Sequence, residues 1–232
     1  LAGMCSLEKS VLDFVSVVAD RIEDCPGTMS SQEICNALWG MQRMDSRNPE
    51  VTKLLRVLVP RIEQCQEPFS AQGVGIAFHG LQSMGEDDPE VLTITGLLLE
   101  KLIASEDIMG RRDISNAMFG LQGMTSKSEE VRLCLGVLAK KMQESPQKDI
   151  WEAQDIGYCL CGLNGMDISV PEVTAVAQEL SLKVALSKYG SEPLPLSFLQ
   201  YGKNVRVQRG GSVETQIYAS NLLEKMEAFD VN

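Results

Sequence analysis

The phrase Asn36-Ala37-Leu38-Trp39-Gly40-Met41-Gln42-Arg43-Met44 returns three times with its glycine, its amide and its methionine in place, and nothing else in the chain constrains the fold as much. The copies are Ile76-Ala77-Phe78-His79-Gly80-Leu81-Gln82-Ser83-Met84, Asn116-Ala117-Met118-Phe119-Gly120-Leu121-Gln122-Gly123-Met124 and Tyr158-Cys159-Leu160-Cys161-Gly162-Leu163-Asn164-Gly165-Met166. The step is 40 residues twice and then 42. A period of about 20 to 50 residues marks an array of small units, none able to bury its apolar side alone, so that neighbours must stack.

A second pattern alternates with the first. Val11, Phe14, Val15, Val18 and Ile22 are spaced by three and four, as on one face of a helix. The pattern recurs as Val51, Leu54, Leu55, Leu58 and Ile62, then at Val91, Val131 and Val173 and the residues following each. The phrase is here called helix A and this second element helix B. Start signals precede B at Asn48-Pro49-Glu50, Asp88-Pro89-Glu90, Ser128-Glu129-Glu130 and Val170-Pro171-Glu172. Proline suits the first helical position because its missing N–H would have no partner there, and a carboxylate suits the positive helix N-terminus. Pro60 falls inside a B helix whose register continues through Ile62, which predicts a local kink and not a stop. The linkers from B to the next A are short and polar (25–30, 65–70, 105–110 and 145–148), and short connections join antiparallel neighbours.

The expected fold is therefore all-α: an α-α superhelix, or solenoid, of helical hairpins about 40 residues long, with four to five repeats plus a partial N-terminal one. The expected organisation is one domain over 1–232, with a partial repeat at 1–29 and repeats at about 30–69, 70–109, 110–150 and 151–191. A degenerate capping repeat is expected at 192–232, where a glycine follows Gly162 by 40 residues at Gly202 but the amide and methionine are lost. A last helix is expected from Glu214 to about Phe229. Leu1-Ala2-Gly3-Met4 matches the tail of the phrase, so the chain is expected to open inside a repeat, with any targeting segment outside it.

Hydrophobic residues make up 44% of the chain and aromatic ones only 5%, so burial rests on aliphatic side chains, as in packed helices. The net charge of −11 argues against a uniformly basic nucleic-acid surface. Seven cysteines show no C-x-x-C spacing, and Cys25 and Cys65 occupy equivalent places in successive repeats. Equivalent residues of stacked helices lie roughly 8–10 Å apart, too far for a disulfide, so free thiols are expected. No apolar run approaches the roughly 20 residues of a membrane helix.

The residues offer little to catalysis. His79, the single histidine, stands where other copies have Trp39, Phe119 and Cys161, which reads as a space-filling position. Gly73-Val74-Gly75 falls within a predicted helix with no strand before it, so its N–H groups are already used. Cys159-Leu160-Cys161 lacks partner ligands at finger-like spacing. No enzyme, cofactor, metal or small-molecule substrate is expected.

Binding has better support. Helix A carries a regular stripe besides its core face: Gln32, Cys35, Trp39 and Gln42, then Gln72, Gly75, His79 and Gln82, then Arg112, Ser115, Phe119 and Gln122, then Gln154, Gly157, Cys161 and Asn164. Amides that both donate and accept would line one wall and read an extended peptide or one nucleotide per repeat. Alternatively they bond to neighbouring loop backbone and keep the stack in register. Glu33, Asn36, Arg43, Asp113 and Asn116 form a further polar face, expected to be solvated. A glycine inside a helix costs about 1 kcal/mol relative to alanine. At Gly40, Gly80, Gly120 and Gly162 either a B helix of the same or next repeat presses on the bare backbone, or a ligand needs the room. Lys203, Arg206 and Arg209 lie in a stretch without Asp or Glu and are candidate phosphate contacts.

Paired helices, a period near 40 and the phrase Ala-Leu-x-Gly-Leu-Gln-x-Met together resemble the octotricopeptide and heptatricopeptide repeats, relatives of the pentatricopeptide arrays. The resemblance implies an organellar protein, of chloroplast or mitochondrion, that binds single-stranded RNA through helix A and acts in RNA maturation or translation. It assigns base reading to Gln32, Asn36, Gln72, Ile76, Arg112, Asn116, Gln154 and Tyr158. The first reading of the residues themselves is a non-catalytic scaffold that binds a protein partner within a larger assembly, with cytoplasmic placement outside the resemblance. Organellar RNA binding is the second.

Overall fold

The computed structural model describes residues 9–146 and 150–186, which hold nine helices and no strand. They are α1 (Lys9–Asp24), α2 (Ser31–Gly40), α3 (Pro49–Gln64), α4 (Ala71–Gly80), α5 (Pro89–Ala104), α6 (Arg111–Gly120), α7 (Glu129–Glu144), α8 (Ala153–Gly162) and α9 (Pro171–Leu186). The odd-numbered helices are B and have 16 residues; the even-numbered are A and have 10. The expected capping repeat, the last helix and Lys203, Arg206 and Arg209 lie outside the described residues. No helix among the described residues is long and apolar enough to cross a membrane.

Local chemistry sets the boundaries. Pro49 and Pro89 open their helices at the first turn. At the start of A, an acid in the first turn reaches back to the capping N–H: Glu33 accepts from Ser30 N at 2.8 Å, Asp113 from Gly110 N at 3.0 Å and Asp155 from Glu152 N at 3.0 Å. Each carboxylate thus satisfies an orphan donor and neutralises the positive helix end. In α4, where Gly73 takes the acid's place, the Ser70 hydroxyl accepts from Gly73 N at 3.0 Å instead. α3 runs on through Pro60 to Gln64.

The two kinds of helix pack mainly with their own kind. α2, α4, α6 and α8 follow one another side by side, as do α1, α3, α5, α7 and α9, while each A also touches the B that follows it. This is a solenoid-like arrangement. The B stripe read from the sequence is the inner face of α3, α5 and α7: Val51, Leu55, Leu58, Ile62, Val91, Ile94, Leu98, Leu102, Val131, Leu135 and Leu138 are fully buried, whereas in α1 the buried residues are Val15 and Ala19, and Val11 (36% exposed) and Phe14 (67% exposed), expected on that face, turn to solvent. They meet Leu38, Phe78, Leu81, Met84, Met118 and Leu121 of the A elements in one continuous core. Burying such a side chain contributes about 1.5–3 kcal/mol. In three successive linkers one apolar residue also turns inward: Phe69, Met109 and Trp151.

The recurring glycine is the last residue of each A helix, and its neighbour is the preceding A helix. A Cβ at Gly80 would lie 2.0 Å from the carbonyl oxygen of Leu38, at Gly120 2.0 Å from that of Phe78 and at Gly162 2.0 Å from that of Met118. The expected pressure from a B helix is thus replaced by A-on-A contact, with bare Cα set against a helix carbonyl, an arrangement that also admits weak Cα–H···O bonds.

Polar groups lock the stack. Arg61 donates to the carbonyls of Gly27 at 2.7 Å and Cys25 at 2.8 Å, Lys101 to that of Cys65 at 2.9 Å and Lys183 to that of Ser145 at 3.4 Å. In each case a cation of one B helix neutralises the carbonyl end of the B helix before it. In the other direction, Glu67 accepts from Ser31 N at 3.0 Å and Asp107 from Ala71 N at 3.1 Å, so the linker after one B helix caps the A helix before it.

Candidate functional site

The A helices leave one face open. Along α2 it shows Gln32, Asn36 and Trp39, all exposed; along α4 Gln72, Ile76 and His79; along α6 Arg112, Asn116 and Phe119; along α8 Gln154, Tyr158 and Cys161. A spacing of four and then three keeps each set on one side of its helix. Past the helix end the face continues to Arg43, Ser83, Gly123 and Gly165, each exposed.

Most of the candidates named from the sequence lie on this face, but the expected stripe does not run along it. The intermediate positions Cys35, Gly75, Ser115 and Gly157 are buried between A helices. A Cβ at Gly75 would lie 2.8 Å from the Asp113 carbonyl oxygen, which shows how closely α4 and α6 approach there. The exposed column of these helices is 32, 72, 112 and 154; in the next one Asn36 is exposed and Ile76, Asn116 and Tyr158 are half-buried. Gln42, Gln82, Gln122 and Asn164 are half-buried in the turn after each helix, and the Gln122 amide donates to the Gln82 carbonyl at 3.0 Å, holding one turn to the next. There the register reading of the amides describes the contact.

Three rings pack in a row across successive helices. Phe119 stacks on Tyr158 with centroids 4.3 Å apart and on His79 at 5.1 Å, and His79 meets Tyr158 at 5.7 Å in a tilted pose. Tyr158 thus supplies from one turn earlier the ring that Cys161 lacks. Its hydroxyl accepts from Gln154 Nε2 at 3.0 Å. His79 is half-buried: burial pushes its pKa below the ordinary value, while a side-chain hydrogen bond with Asn116 opposes the shift, and its Nδ1 has no hydrogen-bond partner. Burial likewise raises the Cys161 thiol. Trp39, 47% exposed, stacks on no described ring.

Charge on the face departs from the chain's average. None of the positions in these four columns is Asp or Glu, and the only charged residues in them are Arg43 and Arg112, in a chain of net charge −11. The acids of the A helices are spent at helix starts: Glu33, lowered in pKa by its hydrogen bonds from Ser30, on the rim, and Asp113 and Asp155 turned inward. Asp155 is buried and also takes the Arg111 guanidinium, which bonds to Glu152 at 2.7 Å as well. This bridge ties α6 to α8 and has no sequence signal beyond a cation 44 residues before an acid. Among the described residues no group of three or more His, Cys, Asp or Glu is placed to hold a metal ion.

No protein-family model, curated protein or solved structure matches the chain.

Proposed function

We propose that the hairpins form an α-α superhelix whose repeats act as a non-catalytic scaffold, holding a segment of a protein partner along the open A-helix face within a larger assembly. The observation that carries this reading is that face: rings and amides with two arginines and no carboxylate, on a chain whose net charge is −11. A bare, carboxylate-free strip suits a polypeptide, whose backbone N–H and C=O groups find donors and acceptors in Gln32, Asn36, Gln72 and Gln154 while its apolar side chains meet the rings.

The second reading, single-stranded RNA bound in an organelle as the repeat resemblance implies, draws on the same amides with Arg112 and, outside the described residues, on Lys203, Arg206 and Arg209. Two physical points set it behind the first. Holding a polyanion takes several cations, since each neutralised phosphate contributes through counterion release, and the open face of the described residues offers two arginines. A base slotted between rings of adjacent repeats needs about 7 Å, two contacts of about 3.5 Å each, whereas the centroids stand 5.1 and 4.3 Å apart.

The two readings separate in a titration of the full chain with a labelled mixed-sequence single-stranded RNA at about 150 mM salt. Binding no tighter than micromolar is expected. Nanomolar, salt-sensitive binding that alanine at Gln72, Arg112 and Gln154 abolishes would reverse the order.

A further inference from the structure

On the reading that the A-helix face holds a protein segment, we infer that this segment carries an acidic side chain that pairs with Arg112 and, about three positions away, a large apolar one that rests against Phe119. The place is the middle of the face. α4 and α6 each pack against a described A helix on both sides, so what is open there is open with its neighbours in position. Arg111 and Arg112 follow one another and are treated in opposite ways. Arg111 is tied to Glu152 at 2.7 Å and to the buried Asp155. Arg112 is exposed, and its guanidinium makes no hydrogen bond or ion pair among the described residues. The carboxylates of the neighbouring helix starts are engaged already: Asp107 by Ala71 N at 3.1 Å, Asp113 by Gly110 N at 3.0 Å and Glu152 by Arg111.

Within its column Arg112 is flanked by neutral amides, Gln72 on α4 and Gln154 on α8, both exposed. A planar fork of donors between neutral neighbours is what a carboxylate fills with two parallel bonds. Two charges compete over which segment is held. The chain's −11 draws basic segments from a distance. Salt screens that field beyond about 8 Å, so a side chain seated on the face answers to the groups beside it. A lysine or arginine placed there would meet an unpaired guanidinium, whereas Asp or Glu supplies the charge that its column lacks. Phe119 stands seven residues on along the same side of α6, about 10 Å away at 1.5 Å per residue. That distance is spanned by roughly three residues of extended chain. Phe119 and Ile76 are both half-buried there, an apolar end to a site whose other end is Arg112. Arginines and aromatic rings of this kind carry a large share of the binding energy at interfaces.

The test is selection of random 12-residue peptides displayed on phage against the full chain, followed by fluorescence anisotropy with the selected peptides. These are made with amidated C-termini, so that side chains supply their only carboxylates. Enrichment of Asp or Glu about three positions from Phe, Leu, Ile or Met is expected, and Arg112→Gln should weaken binding about tenfold. Arg112→Glu should abolish it, and a peptide with Lys in place of the acid should bind that variant again, a recovery that a merely structural arginine would not give. Peptides that lose binding on Gln72→Ala or Phe119→Leu but are indifferent to both Arg112 substitutions would overturn this inference and leave the scaffold reading standing. Selected peptides with Lys or Arg in place of the acid would overturn it in the same way. Failure to select any peptide sensitive to substitution at Gln72, Arg112 or Phe119 would count against both. Circular dichroism of each variant, expected to match the parent, shows that a loss is not a loss of fold.

Discussion

Alanine at Gly120 should separate two A helices that now touch through their backbones. The new Cβ would lie 2.0 Å from the Phe78 carbonyl oxygen and 2.4 Å from its carbon. An ordinary carbon–oxygen contact needs about 3.3 Å, so α4 and α6 must part by about 1.3 Å at that end. Neither atom belongs to a side chain that can swing aside. Overpacking of a well-filled interior costs typically about 1–3 kcal/mol, and a contact between two helix backbones belongs at the upper end. Alanine's better helix propensity returns at most about 1 kcal/mol, and less at the last helical residue, which leaves a net loss of about 2–3 kcal/mol. Gly40 is the internal control, because the same substitution there meets nothing within 4 Å among the described residues. Gly40→Ala should be neutral or stabilising by up to about 1 kcal/mol. Urea unfolding followed by circular dichroism reads the difference: with a slope near 2 kcal/mol/M, the Gly120→Ala midpoint should fall by about 1 M. Equal midpoints for the two variants would refute the close A-on-A approach.

Three other outcomes follow from the same contacts. Burial lowers the His79 pKa in the folded chain, so the unfolded chain binds more protons near its ordinary value of 6.5; stability should be full above that pH and fall as pH drops through it, and His79→Phe should weaken the dependence between pH 7.5 and 5.5. Burial pushes the thiols of Cys35 and Cys134 up to about 12, whereas Cys25 is exposed; iodoacetamide under native conditions should label Cys25 and spare Cys35 and Cys134 until urea is added, as peptide mass mapping would show. Arg111→Met should leave the buried Asp155 without its cation and cost about 2–3 kcal/mol in urea unfolding, a loss that Arg112→Met, on the exposed face, should not reproduce.

The boundaries of the B helices were legible almost to the residue, their inner face less so in α1, where Val11 and Phe14 are exposed. Asn48-Pro49-Glu50 and Asp88-Pro89-Glu90 mark their starts because proline and an acid have a physical reason to stand there, and the linkers expected at 65–70 and 105–110 fall between Gln64 and Ala71 and between Ala104 and Arg111. The A helices were legible as elements and misread in detail. Apolar spacing shows that a side is buried, not which neighbour buries it. The pattern therefore leaves the glycines to a B helix or a ligand, where the contact is with the preceding A helix, and it puts Cys35, Gly75 and Ser115 on a binding stripe although A-on-A packing buries them. The ring row had no readable period, since Tyr158 enters from a position one turn before that of Phe119.

Charge is where sequence and surface part furthest, and the reason is positional. A total of −11 predicts an acidic wall only if acids fall at random, and on these helices they do not. Glu33, Asp113 and Asp155 sit at the third helical position because there a carboxylate captures the capping N–H and faces the positive helix end. Glu67 and Asp107 stand in the linkers because there they cap the preceding A helix. Each of these demands places negative charge at helix starts and joints, and none at the turns of helix A that carry Trp39, His79 and Phe119. The open face is thus free of carboxylates as a consequence of how the stack is fastened, and a ligand meets rings, amides and Arg43 and Arg112 there, not the average charge of the chain.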